Sequence, residues 1–238
     1  MANRFYKHVS VKAVDRQPRL VGEHNEKTYG VFLDDRELKT PGKHPLHVTN
    51  KAHAEIIARE WDAQSETIEP HKMPATRLAN VALEQTPKNR EQVINEGCNY
   101  ARSDLLCYRA DGPAVLSERQ DALWGPWVAW AEGQGIALNV TTSIIAIPQD
   151  EASIMKVKAR LEAMDNLDLT LCVHFIAVFG SAILGLAVLA RDISAADAFE
   201  LSRLDAIWQS EQWGVDEEAQ RTAAALREDI MALSEFII

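Results

Sequence analysis

Apolar residues follow three different patterns along this chain. The longest uninterrupted run is Leu169 to Ala190, LTLCVHFIAVFGSAILGLAVLA, which contains no Asp, Glu, Lys or Arg. As one helix it would be about 33 Å long, at about 1.5 Å per residue, enough to cross a bilayer. The favoured reading is instead a buried central helix around which others pack. His174 interrupts the run, Asp168 abuts its start and Arg191-Asp192 close its end. No Trp/Tyr belt or basic cluster flanks it. Ala177, Ser181 and Gly185 recur every four residues, a ridge of small side chains that admits a close neighbour. The amphipathic segments that follow need an apolar partner of this size.

The first fifty residues alternate instead. Val9, Val11 and Val14 mark one strand, followed by a loop through Pro18 and Gly22. Tyr29, Val31 and Leu33 mark a second strand, Asp34-Asp35-Arg36 a turn, and His44 to Val48 a further short strand. A helical period then takes over. Asn50 or Thr49 caps a helix from Lys51 to about Gln64, and another spans Ala75 to Glu84. A third opens at Thr86-Pro87, with proline at its first position. Ser103 to Arg109 reads as a strand or an extended connection, and Asp111-Gly112-Pro113 as the domain boundary.

Beyond that break, Ser117-x-x-Gln120 reads as a capping box, and Trp124-Gly125-Pro126 as a kink or restart. Ile136 to Ile147 is β-branched and reads as extended. Ile154, Val157, Leu161 and Met164 form an amphipathic helix. Ser194-x-x-Asp197 starts a helix that stops at Gly214, and Asp216 caps the last one. The expected fold class is therefore α+β: a small antiparallel β-rich domain over residues 1–110, followed by a mainly α-helical domain over 111–238.

Charge sharpens this division. Residues 1–110 hold 17 Lys/Arg and 15 Asp/Glu, whereas residues 111–238 hold 8 and 20. Phosphate-backbone binding draws its affinity from Lys and Arg, so the acidic half argues against nucleic acid and suits a partner with a basic surface. Three cysteines (Cys98, Cys107, Cys172) form no CxxC pair, which fits a reducing compartment and small core residues. The start, MANRFYKHV, has no apolar core of a secretory signal.

Catalytic motifs are missing. There is no GxGxxG, no Walker-type Gly-Lys-Ser/Thr and no nucleophile elbow. His44-x-x-His47 with His53 lacks a cysteine or carboxylate at ligand spacing, so surface histidines are the better reading and no metal is expected. His174 reads as a hydrogen-bonded core residue. Trp124, Trp127 and Trp130 stand at helical spacing and read first as packing, second as a partner surface. One carboxylate breaks a local rule. At about 100° per residue, Leu201, Leu204, Ile207 and Trp208 share one arc and Glu211 projects into its middle. Glu211 also lies in the last turn before Gly214, where the helix dipole disfavours an anion.

Taken in order, RFYK (4–7), LDDRELKTP (33–41), EWDAQ (60–64) and MPATRLAN (73–80) recur in a family of known proteins. So do DLLCYRA (104–110), Gln120 with Trp124, Pro126 and Trp130, GSAILGLA (180–187) and WQSEQWGVDEEA (208–219). By these the chain resembles the assembly chaperones of the F-type ATP synthase that attend the alpha subunit of the catalytic head. The resemblance implies a β-containing N-terminal domain, a helical C-terminal domain, no catalysis and no cofactor or nucleotide of its own. The implied partner is a free alpha subunit, shielded until beta replaces the chaperone. Glu211, with Trp208, Trp213, Gly214 and Asp216, falls in the most distinctive motif and is the expected partner-binding group. Mitochondrial members carry a targeting extension that this chain lacks. That gives an expected bacterial cytoplasmic setting, or the mitochondrial matrix for a mature eukaryotic form. Two other functions fit the residues: a carboxylate-dependent enzyme centred on Glu211, and a membrane-anchored assembly factor.

Overall fold

The computed structural model describes residues 2–15 and 27–238. The loop expected through Pro18 and Gly22 lies outside them. The chain packs as two compact units, Met1–Lys88 with Ala232–Ile238, and Asn89–Met231.

The first unit is built on an antiparallel sheet. Strand β2 (Lys27–Leu33) is central: β1 (Val9–Asp15) pairs along one edge, and β3 (Arg36–Glu37) and β4 (His47–Val48) share the other. The predicted turn is real and tight. Leu33 pairs with Arg36, and Asp34 takes a positive φ of 54°. The Asp34 carboxylate accepts from the backbone N–H groups of Lys7 and His8, which pulls its carboxyl below the usual range. Helix α1 (Lys51–Asp62) covers the sheet with His53, Ala54, Ile56 and Ile57, and starts where expected, since Asn50 Oδ1 accepts from Ala52 N at 2.9 Å.

Helix α2 (Pro74–Glu84) has an unusual start. Its N-cap residue is Met73, which has no capping oxygen. Glu60 of α1 supplies one instead, accepting from Ala75 N at 2.6 Å, Thr76 N at 2.8 Å and Thr76 Oγ1 at 2.7 Å. An anion at a helix N-terminus satisfies free N–H groups and meets the positive end of the dipole. The chain's last residues return to this unit. His53 Nε2 lies 2.8 Å from the Phe236 carbonyl, and the two rings stack at 4.8 Å.

The second unit is helical. Helix α3 (Thr86–Arg102) leaves helical geometry at Asn89, where the two units divide. Beyond that point Arg90 donates to Asn166 Oδ1 at 2.7 Å and to the Glu162 carbonyl at 3.0 Å. This side of α3 therefore packs with the helices, and the expected boundary near residue 110 falls inside the second unit. Ser103 to Arg109 is not a strand. It holds one 3-10 turn, Leu105–Cys107, then a bridge from Tyr108 to Thr141.

The capping box expected at Ser117 is absent too. Helix α4 (Ala114–Gly133) begins three residues earlier, so Ser117 lies inside it and its hydroxyl donates back to the Ala114 carbonyl. Gln120 accepts from Ala110 N at 2.6 Å and donates to Asp205 Oδ1 at 2.7 Å. Pro126 neither ends nor restarts α4; it sits on the exposed side of a continuous helix.

After an irregular segment, α5 (Glu151–Ala163) is capped by Asp150. The long apolar run then proves to be two helices. Helix α6 (Asn166–Phe179) ends at Gly180 in the left-handed region (φ 66°), and α7 (Ala182–Leu189) starts on Ser181. The small-residue ridge is therefore not a continuous surface for a third helix. Gly185 instead lets α7 close onto α6 itself, because a Cβ there would lie 3.1 Å from the Ile176 backbone nitrogen. The hairpin is nonetheless the buried axis, with Leu169, Leu171, Phe175, Ile176, Leu184 and Ala187 fully enclosed. His174 is half-buried at its margin. Among the described residues, no helix is long and apolar enough to cross a membrane.

A buried carboxylate from outside the hairpin meets its turn. Asp104 accepts from Ser181 Oγ at 2.7 Å, Ile183 N at 3.0 Å and Leu106 N at 3.0 Å. It thereby caps α7 together with Ser181, whose hydroxyl accepts from Leu184 N. Burial dominates its electrostatics and pushes the carboxyl up to about 6, against the downward pull of these donors.

The last predicted helix before Gly214 divides at Arg203 into α8 (Ala195–Ser202) and α9 (Leu204–Trp213); α10 (Glu217–Ser234) follows.

Candidate functional site

All five residues expected at the partner site come together where α9 turns into α10. Gly214 ends α9 with φ 92° and ψ 167°, a backbone conformation open to glycine and strained for other residues. Its N–H closes the helix onto the Ser210 carbonyl at 3.0 Å. Two residues on, Asp216 Oδ1 accepts from Glu218 N at 2.9 Å and Ala219 N at 3.1 Å, which caps α10. Gly214 and Asp216 thus build the elbow, and neither is needed as a contact to explain its place in the sequence.

The other three project from α9. Trp208 is half-buried and meets Trp213 edge-to-face, with ring centroids 5.6 Å apart. Trp213 itself is 74 % exposed, and Val215 beyond the elbow 59 %. Glu211 does not enter the apolar core. The break at Arg203 separates Leu201 from the arc of α9, and Glu211 leans out to Arg119 of α4, Oε2 to NH1 at 2.7 Å. The guanidinium offsets the unfavourable position of an anion at a helix C-terminus. This carboxylate is nearly half exposed and ion-paired, the reverse of an enclosed general acid or base.

A groove adjoins the pair. It is about 530 Å³ in volume, with Leu123 and Trp127 of α4, Ile193, and Leu201, Leu204 and Ile207 as its apolar lining. Asp192, Asp197 and Glu200 stand on its edge, and Arg119 is its one basic residue. The tryptophans of α4 divide accordingly. Trp124 is fully buried and donates to the Leu201 carbonyl at 2.9 Å, Trp127 faces the groove, and Trp130 donates to Asp192 Oδ2 at 2.9 Å.

His47 pairs with Glu37 at 2.8 Å and His53 with the Phe236 carbonyl, and no cluster of three potential ligands occurs among the described residues. The three cysteines are buried free thiols, with Cys107 pushed up to about 12 by burial.

Comparison with known proteins decides the family. A family model described as the ATP12 chaperone protein matches residues 3–132, more than half of the chain. The chain belongs to the ATP12 family of ATP synthase assembly chaperones. The crystal structure of Atp12 from Paracoccus denitrificans is 38 % identical to it, with a TM-score of 0.88 over 99 % of this chain and 97 % of that one. The Atu1473 protein of Agrobacterium tumefaciens superposes with a TM-score of 0.91 at 32 % identity, covering 99 % of this chain and 85 % of its own. The mitochondrial atp12 protein of Schizosaccharomyces pombe is 24 % identical over 202 residues, 79 % of this chain and 69 % of the relative.

For this ATP12 member, sequence reasoning found the corner and missed its supports. Arg119 is the partner of Glu211, but nothing in its local pattern distinguishes it from the other basic residues of the acidic half. Asp104 gave a weak signal, an acidic residue immediately before Leu-Leu-Cys, an apolar stretch that could not solvate it. The Gln120–Asp205 bond crosses between helices far apart in sequence and left no local trace.

Proposed function

We propose that this chain binds the free alpha subunit of the F-type ATP synthase catalytic head and shields its interface until beta displaces the chaperone. The work is non-catalytic and needs no nucleotide; in a bacterial cell its place is the cytoplasm. The observation that carries the reading is the exposed aromatic elbow, Trp213 with Trp208 behind it and Val215 beside it. Tryptophan is enriched among residues that dominate binding energy, and an apolar projection held on a capped, glycine-hinged turn is presented to a partner rather than folded away. Family membership supplies the setting, and the acidic α8–α10 region supports a client surface that carries basic groups.

Light scattering of isolated alpha subunit, with and without the chaperone and without ATP, tests this. Wild-type protein is expected to suppress aggregation, and W213A to suppress it less at equal concentration. The unfolding midpoint of W213A should stay near wild type, because the side chain is mostly in water already. Wild-type protein that leaves the aggregation of alpha unchanged would sink the reading.

A further inference from the structure

We infer that the groove between α4 and α8–α9 is the seat for a basic amphipathic segment of the client, and that Glu211 acts on it through Arg119. This inference rests on the chaperone reading and names the chemistry that the same face would select. Three observations lead to it. The lining is largely apolar, and Leu123 on its α4 wall stays 42 % exposed beside Trp127 and Ile207 of the same lining. The edge carries three exposed carboxylates, Asp192, Asp197 and Glu200, against one cation. At about 530 Å³ the groove lies within the roughly 300–1,000 Å³ of ligand clefts, enough for a few side chains of one segment. An apolar channel edged by anions matches a helix with apolar residues three and four apart and Lys/Arg on either side.

The edge carboxylates are committed only lightly within the protein. Asp192 accepts one indole N–H, Asp197 one serine hydroxyl at 2.6 Å, and Glu200 meets Arg227 at 3.3 Å on the surface. Such exposed pairs hold weakly and exchange readily. Arg119 is the misfit, a cation on the wall of a channel built for cations. Glu211 neutralises it. Glu211 is thus a positioning residue: it keeps the Arg119 charge from repelling the incoming segment and need not touch the client. Replacing Glu211 by lysine would place two cations at this end of the groove.

Fluorescence anisotropy with two labelled peptides tests the inference on the full chain. One is a helix of about three turns with leucines along one face and lysines beside them; the other carries Glu for every Lys. The lysine peptide is expected to bind and the glutamate peptide not. The double variant L123K/E200K should weaken the lysine peptide by roughly tenfold or more, as charge reversal at a binding edge does. E228K, which lies outside the groove, should leave it unchanged. E211K should weaken it, and the charge swap R119E/E211K should restore it. Circular dichroism and thermal unfolding of each variant separate lost binding from lost fold. Equal binding of the two peptides, an E228K effect as large as that of L123K/E200K, or a folded charge swap that stays impaired would overturn the inference. The alpha-subunit assay separates it from the proposed function. If wild type protects alpha and L123K/E200K protects it equally well, the groove is not the client's seat while the chaperone reading stands.

Discussion

Two carboxylates of the helical unit face opposite problems. Asp104 lies at the N-terminus of α7, fully buried, with three donors aimed at it. Glu211 lies at the C-terminus of α9, nearly half exposed, with one guanidinium for company. The first meets the positive end of a helix and has no water to fall back on; the second meets the negative end and has water on its open side. A carboxylate placed like Asp104 holds a fold together, and one placed like Glu211 contributes little to stability. Glu60 in the β-containing unit repeats the first arrangement, capping α2 with burial pushing its carboxyl up.

The largest expected effect follows from Asp104. Asp104→Ala leaves the Ser181 hydroxyl and the Leu106 and Ile183 N–H groups without an acceptor in a site closed to water. The expected loss is about 3–5 kcal/mol in urea unfolding, since each orphaned buried donor costs roughly 1–3 kcal/mol. A loss under about 1 kcal/mol would erase the contrast with Glu211. The same residue gives a pH signature. With the folded carboxyl at about 6 and an ordinary value of 3.8, the folded protein keeps a proton that the unfolded chain has released between those values. Its contribution is therefore most favourable below 3.8 and declines as pH rises to about 6, by up to roughly 3 kcal/mol at 1.36 kcal/mol per pH unit. Asp104→Asn should lack this decline when the two unfolding curves are compared across the window.

Two glycines of the same unit grade the packing against the α6–α7 hairpin. A Cβ at Gly185 would overlap Ile176 Cγ1 and press on the α6 backbone, so the two helices of the hairpin must separate. Gly185→Ala is expected to cost about 1–3 kcal/mol, the usual range for overpacking. At Gly97 the obstacle is Leu161 Cδ1 at 2.6 Å, the far end of a side chain that can rotate. Gly97→Ala should cost less than Gly185→Ala in the same thermal unfolding series. The reverse order would mean that the hairpin is looser than its burial implies.

These cases also mark how far the sequence could be read. The strands Val9–Asp15 and Lys27–Leu33, the Asn50 cap and the Gly214 stop were legible because each is set by neighbours in the chain. The run from Leu169 was legible as buried, but not as a hairpin. Gly180 and the Ser181 cap make the break locally, but the carboxylate that completes the new N-terminus, Asp104, lies far away in sequence. The false cap at Ser117 arose the same way. A local pattern suggested a helix start, and the helix ran from Ala114 while Gln120 reached across to Asp205 instead. At the candidate site the corner was readable from Glu211, Gly214 and Asp216, while the groove was not, since its two walls come from segments some seventy residues apart.

The smallest stability effect is the sharpest test of the comparison. Glu211→Gln removes the charge but keeps the shape, and the pair with Arg119 is partly exposed on both sides. Exposed pairs contribute roughly 0–1 kcal/mol, and loss of an anion from the last turn of α9 returns part of that through the dipole. The net change in unfolding free energy is therefore expected to stay within about 0.5 kcal/mol. If Glu211→Gln instead destabilised the protein as Asp104→Ala does, the α9–α10 corner would depend on this ion pair for its structure. Its failure to protect a client would then report unfolding and not recognition. A near-silent Glu211→Gln in the unfolding series, beside a large Asp104→Ala, separates the carboxylate that holds the fold from one that the fold does not need, so that any loss of client protection in a Glu211 variant would report the proposed recognition.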